Sequence, residues 1–311
     1  MSATVHEVAE GPACGSRVLI VSLAGGLQGR VLLDRGLDIG AVWYAGQPIA
    51  WLSPSGERRS GYGDAGEGWH RGWAGGLLTT CGLRHIGPPG DGFGRHGQYS
   101  DCSAEQVAVS RQAGRWIETS ALVRETDGLD RGLALHRRMR WYLGRGRVRI
   151  HDCLVNETSS PVAVPILYHI NLGFPFLSAD ARTTMSGLIA PLGFADRMGY
   201  PAHLPDEVTE LRLAEDTRRV AVAVRSTNLG LSLQVAWDPE QLGHAHIWRR
   251  REPGCYVQAV EPANATLQET AVGRWPVLAP GQVRVTGFDL RVRPDRSSPR
   301  EAEDSDNKLM E

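Results

Sequence analysis

The sequence is short of several features that define large classes of protein. Of its 34 basic residues only Lys308 is a lysine, and 35 acidic residues bring the net charge to −1. A chain this close to neutrality offers no positive field for nucleic acid or an anionic membrane. No uninterrupted apolar stretch approaches the ~20 residues of a membrane-spanning helix. We therefore expect neither a nucleic-acid partner nor a membrane partner.

Cysteine is also scarce, and its spacing carries no motif. The five cysteines are odd in number and never form a CxxC pair. This pattern argues against a disulfide framework and against a zinc site of the cysteine type. The first fifteen residues include acidic side chains and lack the apolar core of a secretory signal. We expect a cytoplasmic protein.

Convincing amphipathic helices are lacking, and alternating strands take their place. Segments from 106 to 169 alternate apolar and polar residues between short turns, and Arg147–Val155 is the clearest case. Further strands follow up to Arg293. An apolar content of 41% suffices for a sizeable core. The pattern predicts an all-β protein with a single domain over 1–294 and a disordered, charged tail over 295–311.

Two segments are predicted to lie outside the strands. Asp34–Gly40 is polar and has glycines at its bends, so we expect a loop. Arg35 and Asp38 in that loop either form a surface ion pair or reach into a site. Residues 179–205 contain several glycines and prolines and are predicted to form an irregular covering loop.

One apolar strand carries polar groups that a core strand ordinarily lacks. The apolar run that begins at position 162 delivers His169 and Asn171 near its end. Such groups are either satisfied within the core or used by a functional site. Two other stretches have the same character, because His96 lies in a long glycine-rich loop and Glu261 ends another apolar run. Long loops in compact domains are more often functional than idle.

A second pair of histidines invites a metal-site interpretation. His244 and His246 are two residues apart, so they would share one face of a strand. No third ligand is evident beside them. We therefore predict structural roles for both, and no metal.

Four stretches form a recognisable set: Asp34–Ile39, Trp73–Gly82, Tyr168–Gly173 and Cys255–Asn264. Together they resemble the aldose 1-epimerase (galactose mutarotase-like) superfamily, and within it a bacterial branch of uncharacterised members. The matches occur in the superfamily's order and span almost the whole chain. The resemblance implies a galactose mutarotase-like β-supersandwich of antiparallel sheets, with a sugar site in a cleft on one face and no cofactor.

The resemblance also implies roles for individual residues. By position, His169 matches the general acid, Glu261 the general base and His96 the histidine that helps to position the sugar. The side chains that we expect to bind a sugar are Arg84, Asn171, Arg35, Asp38 and Trp248, the last as a stacking surface.

These roles suit the interconversion of the two anomers of an aldose. Ring opening requires one group to remove the proton of the anomeric hydroxyl while another protonates the ring oxygen. Histidine suits the acid because its pKa lies near neutrality. We expect Glu261 to be ionised at neutral pH and to face His169 across the sugar. The sequence thus predicts a carbohydrate mutarotase or epimerase acting on an unidentified sugar.

Two departures from the superfamily pattern keep alternatives open. Gln98 stands where the well-studied enzymes have a second glycine, and their hydroxyl-reading aspartate has no clear equivalent between Tyr200 and Ala214. One alternative is a non-catalytic carbohydrate-binding protein. Another is a sugar isomerase or epimerase that acts at carbon with the same acid–base pair.

Overall fold

Strands make up nearly all of the regular structure in the computed structural model, which describes residues 1–58, 69–90, 92–126, 128–267 and 275–295. In chain order the strands are β1 (Ser2–Glu7), β2 (Arg17–Ser22), β3 (Leu27–Leu32), β4 (Asp38–Tyr44), β5 (Gln47–Pro48), β6 (Thr79–Gly82), β7 (Ala104–Gln112), β8 (Trp116–Glu125), β9 (Leu133–Tyr142), β10 (Arg147–Asn156), β11 (Val162–Ala163), β12 (Ile166–Gly173), β13 (Arg182–Ser186), β14 (Leu188–Ile189), β15 (Glu207–Leu213), β16 (Val220–Ser226), β17 (Leu231–Trp237), β18 (His244–Glu252), β19 (Cys255–Ala263), β20 (Val277–Leu278) and β21 (Val283–Pro294). The described residues add one short α-helix, α1 (Trp69–Gly72), and a 3-10 turn at Tyr99–Asp101.

The strands form two large sheets and two smaller ones. The eight-stranded sheet has the order β13-β16-β17-β21-β10-β9-β8-β7, and the six-stranded sheet has the order β14-β15-β18-β19-β12-β6. Strands β1 to β5 form a third sheet in chain order, and β11 pairs with β20. Every pairing between these strands in the described ranges is antiparallel. The all-β prediction is confirmed.

The interior lies between the two large sheets. In β10 alternate residues are buried, as the sequence pattern of Arg147–Val155 predicts. One apolar cluster contains residues from Leu19 near the start of the chain to Val292 near its end. Asp152 shares the buried face of β10 with apolar neighbours. A carboxylate in that position needs a partner, because burying an unpaired charge is costly.

Arg137 of β9 supplies that partner and sits fully buried between two carboxylates. Its Nη2 and Nε lie 2.7 and 3.0 Å from the carboxylate oxygens of Asp152, and its Nη1 lies 2.9 Å from Asp38 Oδ1. Arg137 Nη2 also donates to the Thr80 hydroxyl at 2.9 Å. The Tyr168 hydroxyl donates to Asp152 at 2.7 Å. The network therefore joins β4, β6, β9, β10 and β12 through their side chains.

This network explains why the prediction of a polar loop over Asp34–Gly40 is wrong. Every residue of that segment is buried, and β4 begins within it at Asp38. Asp34 accepts hydrogen bonds from the Arg17 side chain and backbone, just as Asp38 is paired with Arg137. Composition alone predicts that these charged residues are exposed, because the arginines that pair with them lie elsewhere in the sequence.

The covering loop predicted over 179–205 is irregular only in part. Strand β13 extends the eight-stranded sheet beside β16, and β14 pairs with β15. Gly187, at φ +72°, separates these two strands, and the prolines all lie beyond Ile189. The concentration of turn residues at one end of the segment concealed the strands at the other.

The C-terminal prediction falls mostly outside the described residues. Of the predicted tail, 295–311, only Asp295 is described, and it is bound to the fold. Its carboxylate accepts a hydrogen bond from Arg225 Nη2 at 2.7 Å, and its backbone N–H donates to Gly230. Within the described ranges, no helix has the length and apolar character needed to cross a membrane.

The Arg137 network yields a stability prediction with a control on the same strand. Arg137→Met should lower the free energy of unfolding by about 3–5 kcal/mol, because it leaves Asp38 and Asp152 buried without their cation. Arg140→Met removes a partly exposed arginine that pairs with Glu118, and should cost about 1 kcal/mol or less. Urea denaturation of both variants measures the difference. Equal losses would show that burial of the Arg137 network contributes nothing special.

Candidate functional site

One face of the six-stranded sheet places the predicted acid and base side by side. On β12 and β19 the pairing of Ile170 with Val260 sets His169 opposite Glu261, and on the other side of β12 His169 pairs with Thr79. Residues opposite each other on antiparallel strands project from the same face. His169 Nε2 lies 3.1 Å from Glu261 Oε1, and both side chains are buried.

The other face of β12 contacts the Arg137 network. Successive residues of a strand point to opposite faces, so Tyr168 points into the network and His169 points away from it. Asp38 contacts Thr80, the cross-strand partner of Tyr168, and therefore lies on the far face from His169. The expectation that Asp38 binds a sugar is corrected accordingly.

Arg35, which we expected to accompany Asp38, is likewise engaged elsewhere. Its Nη1 donates to the Arg58 carbonyl at 3.1 Å, and its Nη2 lies 3.9 Å from Asp101. Burial lowers the pKa of Arg35, and Asp101 opposes that shift. The side chain thus fastens the 3-10 turn at Tyr99–Asp101, and this contact replaces its predicted role as a sugar ligand.

Asn171 has a role different from the predicted one. Its Nδ2 donates to the Gly76 carbonyl at 2.9 Å and to the His169 carbonyl at 3.1 Å. These two bonds fix the amide so that Oδ1 faces His169 Nδ1 and accepts its proton. Both hydrogens of the amide are engaged within the protein, and these contacts orient the His169 ring. Its bond also sets the tautomer that leaves Nε2 facing Glu261.

Glu261 differs from the expectation of an ionised base. Burial raises its pKa from the ordinary 4.5 to about 8. The expectation relied on a nearby cation, but the buried Arg137 is held on the opposite face by Asp38 and Asp152. At neutral pH the pair therefore holds a proton between the Glu261 carboxyl and His169 Nε2, which lie 3.1 Å apart.

The glycine-rich loop brings His96 to this pair, as the sequence predicts. The His96 and His169 rings have centroids 5.8 Å apart in an edge-on arrangement. His96 has a φ of +62°, and the backbone N–H of Gly87 lies 3.4 Å from its Nδ1. A side chain at Gly97 would meet the carbonyl oxygens of Gly82 and His85 at 2.5 Å. Glycine at this position is what lets the loop close over β6.

Tryptophans surround the pair, and the sequence reasoning identified only one of them. Trp248 packs its ring edge-on to His169 at 5.5 Å, in keeping with its predicted place in the site. Trp73 contacts His169 at 5.2 Å, Trp69 stacks on Trp73 at 4.8 Å, and Trp51 lies 4.9 Å from Trp73. The available signal was the presence of three tryptophans within positions 51–73. The rings of Trp73 and Trp248 give the His169 side of the pair apolar surroundings.

Arg84, like Asp38 and Arg35, is a predicted sugar ligand whose described contacts lie away from the pair. Its Nη2 lies 3.6 Å from Asp130 in the connection between β8 and β9, and its neighbour Leu83 donates its N–H to Glu125. The superfamily alignment at this position is loose. The contacts of Arg84 belong to that connection and involve neither His169 nor Glu261.

Comparison with known proteins places the chain in a family. Residues 13–292 match the family model described as a domain of unknown function, DUF4432. The chain belongs to this family. Among curated protein sequences, none matches it.

Solved structures similar to this DUF4432 protein share its fold over nearly its whole length. A candidate aldose 1-epimerase from Klebsiella pneumoniae is 21% identical, with a TM-score of 0.84 over 99% of this chain and 88% of that one. Galactose 1-epimerase from Lactobacillus acidophilus is 14% identical, with a TM-score of 0.64 over 94% and 99%. A candidate aldose 1-epimerase from Escherichia coli K12 is 13% identical, with a TM-score of 0.61 over 90% and 100%. The predicted galactose mutarotase-like fold is confirmed.

The buried carboxyl of Glu261 makes stability depend on pH. Its folded-state pKa lies above its unfolded value, so its contribution to stability falls as the pH rises from about 4.5 to about 8. Glu261→Gln keeps a hydrogen-bond donor toward His169 and removes the ionisation. At ~1.4 kcal/mol per pKa unit, the variant should be more stable than wild type by a few kcal/mol at pH 9 and by little at pH 5.

Urea titrations across this pH range measure the effect. Glu240→Gln, which changes an exposed carboxyl, is the matched control and should follow wild type at every pH. A stability difference between Glu261→Gln and wild type that is the same at pH 5 and pH 9 would contradict the raised pKa.

Proposed function

We propose that this DUF4432 protein is a mutarotase that interconverts the anomers of an aldose through the His169–Glu261 pair. The observation that carries the proposal is the direct contact of imidazole and carboxyl on one sheet face, 3.1 Å apart and enclosed by tryptophan rings. Such a pair has no structural requirement, because a buried strand is more simply stabilised by apolar residues. The galactose mutarotase-like fold supports the same assignment.

The closeness of the two groups changes the expected geometry of the reaction. The sequence led us to expect an acid and a base on opposite sides of the sugar. The anomeric hydroxyl O1 and the ring oxygen O5 are bonded to the same carbon, however, so two neighbouring groups can contact both oxygens from one side. A sugar entering the site would exchange the hydrogen bond between His169 and Glu261 for one bond to each oxygen.

The proton count of the pair suits this exchange. With one proton held between them, one group is an acid and the other a base in either arrangement. In ring opening the base takes the O1 proton, the C1–O1 bond becomes a carbonyl, the C1–O5 bond breaks and O5 receives the proton of the acid. Closure on the other carbonyl face reverses these transfers. Asn171 accepts from His169 Nδ1 throughout and stabilises the imidazolium when it forms.

His96 and the tryptophans would hold the substrate. The half-buried His96 ring lies beside His169, where it can donate to a sugar oxygen. Trp248 and Trp69 provide apolar ring faces for the C–H groups of a pyranose. Their roles are orientation and exclusion of water, so their loss should affect substrate binding together with turnover.

Removal of either partner should stop the exchange of protons. His169→Asn and Glu261→Gln should each slow anomer exchange by about 10²- to 10⁴-fold, and the double variant should be little slower than either one. His136→Asn, an exposed histidine of β9, is the control and should exchange anomers at the wild-type rate. Exchange measured by NMR over a panel of hexoses and pentoses gives these rates. No acceleration by wild type with any sugar would refute the mutarotase proposal.

The shared proton also predicts a pH profile. The rate should fall as the pH rises through about 8, where the pair loses its only proton, and fall again in acid where it gains a second. The profile is measured as kcat/KM by NMR between pH 4 and pH 10. A rate that still rises above pH 9 would contradict the shared-proton mechanism. The same spectra in deuterated water detect proton abstraction at C2, and label there would identify an epimerase or isomerase acting at carbon.

A further inference from the structure

His246 lies in line with the proposed catalytic pair, His169 and Glu261, on the next strand of the sheet. On β18 it lies directly opposite Glu261, so its ring projects from the same sheet face as His169 and Glu261. It is 2% exposed, against 4% for His169 and 2% for Glu261. The sequence reasoning assigned it a structural role, but its surroundings do not satisfy it. Its Nδ1 is buried and has no hydrogen-bond partner.

The ring is held as a neutral hydrogen-bond acceptor. The pKa of His246 is lowered from 6.5 to about 4, chiefly by burial and also by neighbouring His244, while a hydrogen bond to the backbone of Glu261 opposes the shift. The buried Nδ1 has no hydrogen-bond partner, and in the tautomer that carries the ring proton on Nε2 it offers its lone pair to a ligand. A buried acceptor without a donor costs free energy unless a ligand supplies one.

The geometry of an aldose indicates which group would supply that donor. Neighbouring strands lie about 4.8 Å apart, so His246 is one such step beyond Glu261. In the proposed orientation, the ring oxygen O5 lies at His169 and the anomeric hydroxyl O1 lies at Glu261. Both oxygens are bonded to C1, and the hydroxyl on the adjacent carbon C2 is the next group in the direction of His246. We propose that His246 Nδ1 accepts a hydrogen bond from the C2 hydroxyl and makes the site specific for aldoses that carry it.

This inference rests on the proposed function for the orientation of the sugar and goes beyond it in naming the substrate class. The site would select 2-hydroxyaldoses over 2-deoxyaldoses. His246 acts as a specificity-determining residue that takes no part in proton transfer. Its removal should therefore alter the choice between two sugars more than the chemistry of either one.

Two variants of His246, compared with wild type on two pairs of sugars, test this assignment. The probes are D-galactose with 2-deoxy-D-galactose and D-glucose with 2-deoxy-D-glucose, and kcat/KM for anomer exchange is measured by NMR. Wild type should favour the 2-hydroxy sugar, and His246→Phe should lower kcat/KM for it by roughly 5- to 150-fold. The value for the 2-deoxy sugar should change by less than about 3-fold. His246→Asn, which keeps an acceptor, should retain part of the preference.

His244→Phe is the matched control, since it changes a histidine on the same strand and face that lies opposite Ala263, and it should leave the preference intact. Equal losses with both sugars, or no preference in wild type, would overturn the inference. If His246→Phe does not fold by circular dichroism, His246→Leu takes its place in the same comparison, and retention of the preference in His246→Asn remains a required result.

Failure of the proposed function can be told apart from failure of this inference. If wild type accelerates no sugar, binding of the same sugars to wild type and to the same variants is compared by saturation-transfer NMR. A binding preference for the 2-hydroxy sugar that His246→Phe abolishes would uphold the role of His246 while refuting mutarotation. Absence of that preference in binding would refute the role of His246 as well.

Discussion

The rest of this structure depends on the burial of one guanidinium. Arg137 is fully enclosed and holds Asp38 and Asp152 from two different sheets. Removing Arg137 would leave two buried carboxyl groups without their cation, so the packing of these sheets depends on keeping the three groups in contact. Tyr168 is tied to the same carboxylate of Asp152, and this fixes the strand that carries His169.

Buried carboxyl groups lie against both faces of that strand, and their surroundings differ. Asp38 has Arg137 and Thr80 as partners, and burial still raises its pKa to about 6. Glu261 lies 3.1 Å from the His169 imidazole, and burial raises its pKa to about 8. On the first face the guanidinium of Arg137 offsets the burial of Asp38, and the ion pair holds the strands together. The second face leaves the burial of Glu261 uncompensated, which brings its protonation equilibrium close to neutral pH.

The sequence predicted the fold class from local alternation, and the superfamily resemblance implied the pairing of His169 with Glu261. Alternation of apolar residues marks each strand, and His169, Glu261 and His96 stand out against apolar or glycine-rich surroundings. What could not be predicted depends on partners distant in the chain. Asp38 reads as exposed until Arg137, 99 positions away, is seen beside it. The contacts of Asn171 and the position of His246 opposite Glu261 likewise depend on strand register that no local pattern records.

The scarcity of lysine has a chemical consequence for the proposed reaction. In the proposed reaction an open-chain aldehyde forms in the site at every turnover, and such an aldehyde can condense with a primary amine to form a Schiff base. The described part of this protein contains no lysine, since the chain's single one is Lys308. Its ion pairs use guanidinium groups, from Arg137 in the core to Arg140 at the surface. The folded sheets therefore present no ε-amine that the aldehyde could trap.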